Sequence, residues 1–316
     1  MYIGIDLGGT NIAGGLVNGS GEIIKKLSVP TGRERGSDAV IEDIYKVIET
    51  LINENNTSET VKGIGIGIPG IADPHTGVVI VCVNLRWYNV PLREKLNEKT
   101  ALPIYIDNDA TVAGVAEFQV SQEGRYKDAV MLTLGTGVGG GILVDGKVVS
   151  GYHGIGSELG HMIIGESLYT CNCGRNGCLE TFASSTAIIH YAKHLIIEKG
   201  KISKMMEMVG GDVDKISGEV IFEAAKAGDA VACEVVDRLV KYLSIGIMNI
   251  VCAIDPEIVV LGGGISMAGN FLLDKVNSAL EDLKYFKATP HAKVEIAKLK
   301  NDAGIIGAAM YAMIQH

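Results

Sequence analysis

The chain lacks a long apolar run. Its uncharged stretch from Ala129 to Val144 falls short of the roughly 18 residues a bilayer-spanning helix requires, and glycines interrupt it. The opening, Met1-Tyr-Ile-Gly-Ile-Asp6, lacks the basic start and apolar segment of a secretory signal. Both absences predict a cytoplasmic protein. Basic residues are scarce too: 28 Lys and Arg stand against 37 Asp and Glu, a net charge of −9. That balance argues against nucleic acid or an anionic membrane as the main partner. It leaves nucleotide phosphates open, because backbone N–H groups and a divalent cation can bind them. An evenly spaced disulfide framework is also missing. Of the six cysteines, Cys82, Cys233 and Cys252 stand singly among apolar residues, as buried free thiols do.

What the chain does have is length for two domains, or one large one with a cleft: 316 residues, 47% hydrophobic, with 41 glycines gathered into short clusters. Tyr2-Ile-Gly-Ile leads through a glycine-rich turn into Ile12–Val17 and then Asn18-Gly19, a hairpin signal. Val130-Met-Leu-Thr-Leu leads through another into Gly141-Ile-Leu-Val144 and then Asp145-Gly146. At one constant offset Leu7 meets Leu134, Gly8 meets Gly135, Gly14 meets Gly141 and Val17 meets Val144, a weak internal duplication. Between the copies, Ser37 as N-cap and a stripe of Ile41, Ile44, Ile48 and Leu51 predict a helix to about Asn55. Strands are expected at 63–68, 78–83, 102–106, 257–261 and 294–299. Helices are expected from Asp109 and over 179–197, 229–254, 269–283 and 302–314. Strands alternating with helices predict an α/β fold with largely parallel sheets, in two related halves.

The glycine clusters carry chemistry. In Asp6-Leu-Gly8-Gly9-Thr10-Asn11 the glycines let backbone N–H groups approach a ligand, Thr10 adds a hydroxyl, and Asp6 suits a hydrated magnesium ion. Gly135-Thr136-Gly137-Val-Gly139 repeats the arrangement, which points to phosphate binding rather than two bare hairpin turns. Two familiar motifs do not apply. Gly135, Gly137 and Gly140 fit the dinucleotide fingerprint, but that motif opens a helix and a strand follows here. Gly141 to Lys147 fits most of a Walker A loop, yet Val148 stands where Ser or Thr belongs. Gly262-Gly263-Gly264 follows a buried strand, where open α/β sheets bind ligands, and is read as an adenosine contact.

Asp107-Asn108-Asp109 lies between a strand end and a helix start. A kinase needs a carboxylate near the phosphates to take the acceptor hydroxyl's proton, and spacing alone does not choose between the two aspartates. Cys171, Cys173 and Cys178 fall within eight residues, with His161 upstream. Thiolate and imidazole are zinc's preferred ligands, and four of them close a structural site with no open position. Glu158 and Glu180 flank the cluster, held where carboxylates suit sugar hydroxyls.

Together these residues resemble the ROK family of sugar kinases and sugar-responsive repressors, over nearly the whole chain. Asp6-Leu-Gly-Gly-Thr10 and Leu134-Gly-Thr-Gly137 are similar to its phosphate motifs, Asn108-Asp109-Ala110 to its catalytic motif, Gly156-Ser-Glu158-Leu-Gly-His161 to its sugar-and-zinc motif, and Cys171 to Glu180 to its zinc signature. The resemblance implies Asp109 as the base. It implies Asn108, Glu158, His161 and Glu180 on the sugar, with Gly70 and Asn84 as further sugar contacts, and ATP, Mg2+ and structural Zn2+ as cofactors. Asp107 departs from the Glu that many members carry there. The implied fold is a duplicated ribonuclease-H-like, actin/hexokinase-like one with a cleft between domains. We expect residues 1–115 plus 301–316 as a small domain and 116–300 as a large one bearing the zinc loop and a dimer interface, in a homodimer or dimer of dimers. Asn84-Leu-Arg-Trp87-Tyr-Asn-Val-Pro-Leu92 resembles the sugar loop of the family's bacterial glucokinases. The alternatives are a kinase for N-acetylmannosamine, mannose or fructose, a sugar-sensing repressor, and a filament-forming actin relative. The family's repressors carry an N-terminal helix-turn-helix domain that the start of this chain leaves no room for, and the zinc and sugar motifs argue against the actin relative.

Overall fold

The computed structural model describes residues 1–55, 57–299 and 302–316. The chain enters through β1 (Tyr2–Leu7), β2 (Asn11–Val17) and β3 (Ile23–Pro30), then helix α1 (Ser37–Asn53). Strand β4 (Ile64–Ile68) leads to β5 (Ile71–Ala72), β6 (Val79–Cys82) and β7 (Trp87–Val90), helix α2 (Leu92–Asn97), β8 (Ile104–Asn108) and helix α3 (Asp109–Ala116). A second series follows: β9 (Ala129–Leu134), β10 (Val138–Val144) and β11 (Lys147–Val148), then helices α4 (Glu180–Ala183), α5 (Ser185–Lys193), α6 (Met205–Met208), α7 (Gly218–Lys226) and α8 (Ala230–Ile254). It closes with β12 (Ile258–Gly262), α9 (Asn270–Leu283), β13 (Lys293–Ile296) and α10 (Ala303–Gln315).

The two five-stranded sheets run β3-β2-β1-β4-β8 and β11-β10-β9-β12-β13. β1 and β9, and β2 and β10, correspond end to end at the constant offset read from the sequence. In the first sheet β2 pairs antiparallel with β1, while β4 and β8 add parallel. In the second, β12 pairs parallel with β9 and β13 parallel with β12. The sheets are therefore mixed, with a hairpin at one side and crossovers at the other. Strands β5, β6 and β7 form a small third sheet.

The described residues fall into two compact units, 1–127 with 141–157 and 298–316, and 128–140 with 158–297. Segment 141–157 groups with the first unit, whereas the sequence reading set a boundary after residue 115. The other boundary of that reading, at Lys300 and Asn301, lies outside the described residues.

Period-two patterning explains the first unit's core. In Gly63-Ile-Gly-Ile-Gly-Ile68 the isoleucines Ile64, Ile66 and Ile68 are fully buried with Ile44, Ile48 and Leu51 of α1. Each such side chain contributes about 2–3 kcal/mol on burial. The glycines face the other side and let α10 lie against the sheet backbone. A Cβ at Gly65 would stand 1.8 Å from the Ala308 carbonyl oxygen, and one at Gly4 1.9 Å from that of Ile305. Gly307 does the same for α3, where a Cβ would meet the Val112 carbonyl oxygen at 1.8 Å.

Three local readings need correction. Gly36, not Ser37, is the cap of α1, and Ser37 is the first helical residue. The helix expected over 179–197 breaks at Ser184, whose extended backbone ends α4 and whose hydroxyl caps α5 by accepting from Ala187 N–H. Of the three thiols read as buried, Cys82 is buried, Cys233 half-buried and Cys252 exposed on α8. The sequence reading did not anticipate β3, β7, α2 or α7. These are a surface-facing strand of alternating exposure, two short elements, and a helix set among polar residues.

Candidate active site

In the first unit the turn between β1 and β2 carries Gly8, Gly9 and Thr10. Two of its carbonyls are held by one residue: Thr31 donates its hydroxyl to the Gly8 oxygen at 2.7 Å and its N–H to the Thr10 oxygen at 2.8 Å. With these oxygens engaged from one side, the turn offers its opposite edge, where Thr10 and Asn11 are exposed. A pocket of about 560 Å³ borders that edge, lined by Gly9, Thr10, Gly32, Arg33, Glu34 and Asn84. Arg33 donates to the Asn84 carbonyl at 2.9 Å, which fixes the exposed Asn84 beside the turn. Asp6 ends up half-buried near the start of α10. Desolvation pushes its carboxyl above the usual range, against the pull of Lys26. A divalent cation would reverse that direction.

The two aspartates that spacing could not separate have different surroundings. Asp107 is 6% exposed. It accepts from the Ser150 hydroxyl at 2.5 Å and the Asn108 N–H at 2.7 Å, and Tyr311 of α10 hydrogen-bonds to it as well. Burial raises its pKa in spite of these donors. Asn108 is the N-cap of α3: its Oδ1 accepts from Ala110 and Thr111 N–H, and its Nδ2 donates to the Gly70 carbonyl at 3.1 Å. Asp109 follows the cap as the first helical residue. It begins α3 half-buried, and its Oδ1 accepts the adjacent Ala110 N–H at 2.8 Å.

In the second unit the turn between β9 and β10 repeats the logic with different anchors. The Gly135 oxygen accepts from the Ser185 N–H at 2.7 Å and hydroxyl at 2.8 Å, and the Thr136 oxygen from the Thr186 hydroxyl at 2.7 Å. The break at Ser184 thus has a purpose: it starts α5 where its first residues reach the turn. A Cβ at Gly137 would stand 2.2 Å from Glu180 Oε2, the atom that accepts Val138 N–H at 3.0 Å, so a larger residue there would displace that carboxylate. Gly139 lies in β10, so a strand follows the turn, as the rejected dinucleotide motif forbids. Gly263, at φ 83°, passes so near β9 that a Cβ would meet the Leu134 oxygen at 2.5 Å. Packing accounts for that glycine, while Gly264 is exposed and Gly262 is buried in β12.

The metal-type ligands converge in the same unit. Donor atoms of His161, Cys171, Cys173 and Cys178 all lie within 4.8 Å of one another. Cys171 Sγ is 3.7 Å from His161 Nδ1, and Cys173 Sγ is 3.6 Å from Cys178 Sγ. A tetrahedral zinc with bonds of about 2.0–2.3 Å sets its ligands about 3.5–3.8 Å apart, so the donor set fits. Against the cost of burial, hydrogen bonds from Arg175 and the neighbouring thiols bring Cys173 down to about 6, toward the thiolate a metal needs. The two flanking acids join this cluster. Glu158 Oε2 is 3.8 Å from His161 Nε2, and Glu180 Oε1 accepts from Cys171 Sγ at 3.5 Å. One carboxylate, Glu180, thereby ties the second glycine turn to the cysteine loop. Burial raises the Glu158 pKa, with His161 acting the other way.

Thr31, Ser185, Thr186 and Arg33 were not singled out from sequence. Each is a common residue distant in the chain from the segment it holds, and only a pattern of chain crossings would have revealed it.

The chain matches the ROK family over residues 2–314. It belongs to that family. It is 37% identical over 311 residues to a glucokinase of Halalkalibacterium halodurans, covering 97% of this chain and 93% of the relative. A xylose repressor of Caldicellulosiruptor bescii is 33% identical over 96% of this chain and 76% of its own length. Among solved structures, the ROK hexokinase of Thermus thermophilus superposes with a TM-score of 0.84 at 31% identity, covering 99% of this chain and 98% of that one. A ROK glucokinase of Streptomyces griseus, in complex with glucose and AMPPNP, gives 0.79 at 31% identity over 99% of both chains. The mixed, duplicated sheets are those of the actin/hexokinase-like fold that these kinases share.

Proposed function

We propose that this ROK protein is an ATP-dependent glucokinase, transferring the γ-phosphoryl group of ATP to the 6-hydroxyl of glucose. The observation that carries the assignment is the division of roles at 107–109. Asp107 is buried and engaged, Asn108 caps the helix, and Asp109 remains at a helix start as the carboxylate for the chemistry. Near full-length similarity to a glucokinase supports the sugar and the donor.

Asp109 takes the proton from the 6-hydroxyl as its oxygen attacks the γ-phosphorus in line. The bond to the β-phosphate oxygen breaks and ADP leaves. Gly8, Gly9, Thr10 and Asn11 in one turn, and Gly135, Thr136, Gly137 and Gly139 in the other, hold the phosphates through backbone N–H groups and hydroxyls. Asp6 would hold Mg2+ through water, and the ion would spread the phosphate charge. The Gly262-Gly263-Gly264 turn would lie along the adenosine, with the exposed Gly264 as its point of contact. Asn108, Glu158, His161 and Glu180 hold sugar hydroxyls, aided by Gly70 and Asn84. Zinc on His161, Cys171, Cys173 and Cys178 would be structural: four protein ligands leave it no open position. With its Nδ1 nearest Cys171, His161 keeps Nε2 beside Glu158, so the cluster orients the sugar-binding carboxylates. We further propose a cytoplasmic homodimer or dimer of dimers, built through the larger domain that bears the cysteine loop. Among the described residues no helix is long and apolar enough to cross a membrane.

Asp109→Asn is expected to lower turnover by at least about 10²-fold while glucose still binds. Wild-type turnover in that variant would reject Asp109 as the base.

A further inference from the structure

A cavity of about 1000 Å³ opens in the first unit beside Leu102–Tyr105, at the start of β8. Asp109 follows the other end of that strand. The cavity is at the upper end of ligand-site volumes. None of the side chains lining it is acidic, although the chain holds 37 acids. Its cation is Arg93, on α2. Nη1 and Nη2 of that guanidinium donate to the carbonyls of His75 at 2.8 Å and Pro74 at 3.2 Å, which are neutral acceptors, and Nε is buried without a partner. Among the described residues Arg93 makes no ion pair, and Asp73 acts on it only from farther off. An anion in the cavity would therefore meet a guanidinium without an ion-pair partner and no carboxylate among the lining residues.

The remaining wall suits a polyol. The rings of His75 and Tyr152 stand 5.9 Å apart as a tilted pair, and Tyr152 is 81% exposed. Asn97 offers an amide, and Ser150 and Tyr311 offer hydroxyls. Those two hydroxyls are also the side-chain partners of the buried Asp107, which holds the Asn108 N–H next to Asp109. A ligand that competes for them reaches the catalytic segment through one side chain.

We propose that this cavity is a second ligand site, for a hexose monophosphate, with the phosphate on Arg93 and His75, the ring against Tyr152 and sugar hydroxyls at Asn97 and Ser150. The choice of a sugar phosphate rests on the proposed function, whose product is the anionic polyol that the reaction itself makes. Occupancy alters turnover by way of Ser150, Tyr311 and Asp107.

The test is isothermal titration of glucose 6-phosphate into the full chain with glucose in saturating excess, so that the sugar site is filled. One binding event per chain is expected. Arg93→Gln should weaken it at least tenfold and His75→Ala severalfold, with basal turnover close to wild type. Inorganic phosphate should bind at least tenfold more weakly than the sugar phosphate. In steady-state assays at saturating glucose, glucose 6-phosphate should change kcat at least twofold in the wild type and not in Arg93→Gln. Absence of a binding event, binding unchanged in both variants, or phosphate binding equally well would overturn the site. An unchanged kcat would overturn its link to Asp107. Titration needs no turnover, so failure of the glucokinase reading and failure of this site give different results.

Discussion

Neighbouring residues of the same type can differ entirely in their surroundings. Asp107 and Asp109 are two positions apart. One is locked beneath Ser150 and Tyr311, while the other heads a helix that a third residue caps. The sequence could place both at a strand–helix junction but could not rank them, because Ser150 and Tyr311 come from distant parts of the chain. The cysteine cluster is the opposite case. Three of its members lie within eight residues, so spacing alone suggests it, and the donor atoms do converge. At this scale we expect about one zinc per purified chain by elemental analysis. Cys171→Ser should lower that content severalfold and reduce the melting temperature. A wild-type protein free of zinc at full activity would contradict the site.

Elements were legible where periodicity is strong and local. The stripe of α1 and the glycine alternation of β4 both mark real faces. What the glycine face is for was not legible, since its partner, α10, arrives more than two hundred residues later. The break at Ser184 was hidden for a related reason: helical patterning continues across it, and the break serves the contacts of Ser185 and Thr186 with the glycine turn. Gly65→Ala tests the close approach of α10. Its Cβ would meet backbone oxygen at 1.8 Å, and backbone does not yield cheaply, so unfolding free energy should fall by about 3 kcal/mol. Gly19→Ala, with no atom within 4 Å of the new Cβ, should change it by less than about 0.5 kcal/mol. Equal stability of the two variants in denaturant melts would contradict the packing argument.

For the whole molecule, the repeat seen as a few matched glycines and apolar residues corresponds to two sheets of equivalent strand order. Each copy bears a glycine turn whose carbonyls are held from behind, by Thr31 in one and by Ser185 and Thr186 in the other. The duplication of the fold is thus also a duplication of the glycine turn proposed to bind phosphate, and each copy carries its own insertion: the Asn84 segment in one, the cysteine loop in the other. Sugar preference is not set by this shared architecture, since the family contains kinases and repressors of the same fold. The most direct measurement is a panel of initial rates with ATP and magnesium, using glucose, mannose, fructose and N-acetylmannosamine at matched concentrations. The account predicts the highest kcat/KM for glucose, with ADP and glucose 6-phosphate formed in equal amounts. A higher kcat/KM for another hexose, or no phosphorylated sugar from any of them, would contradict it.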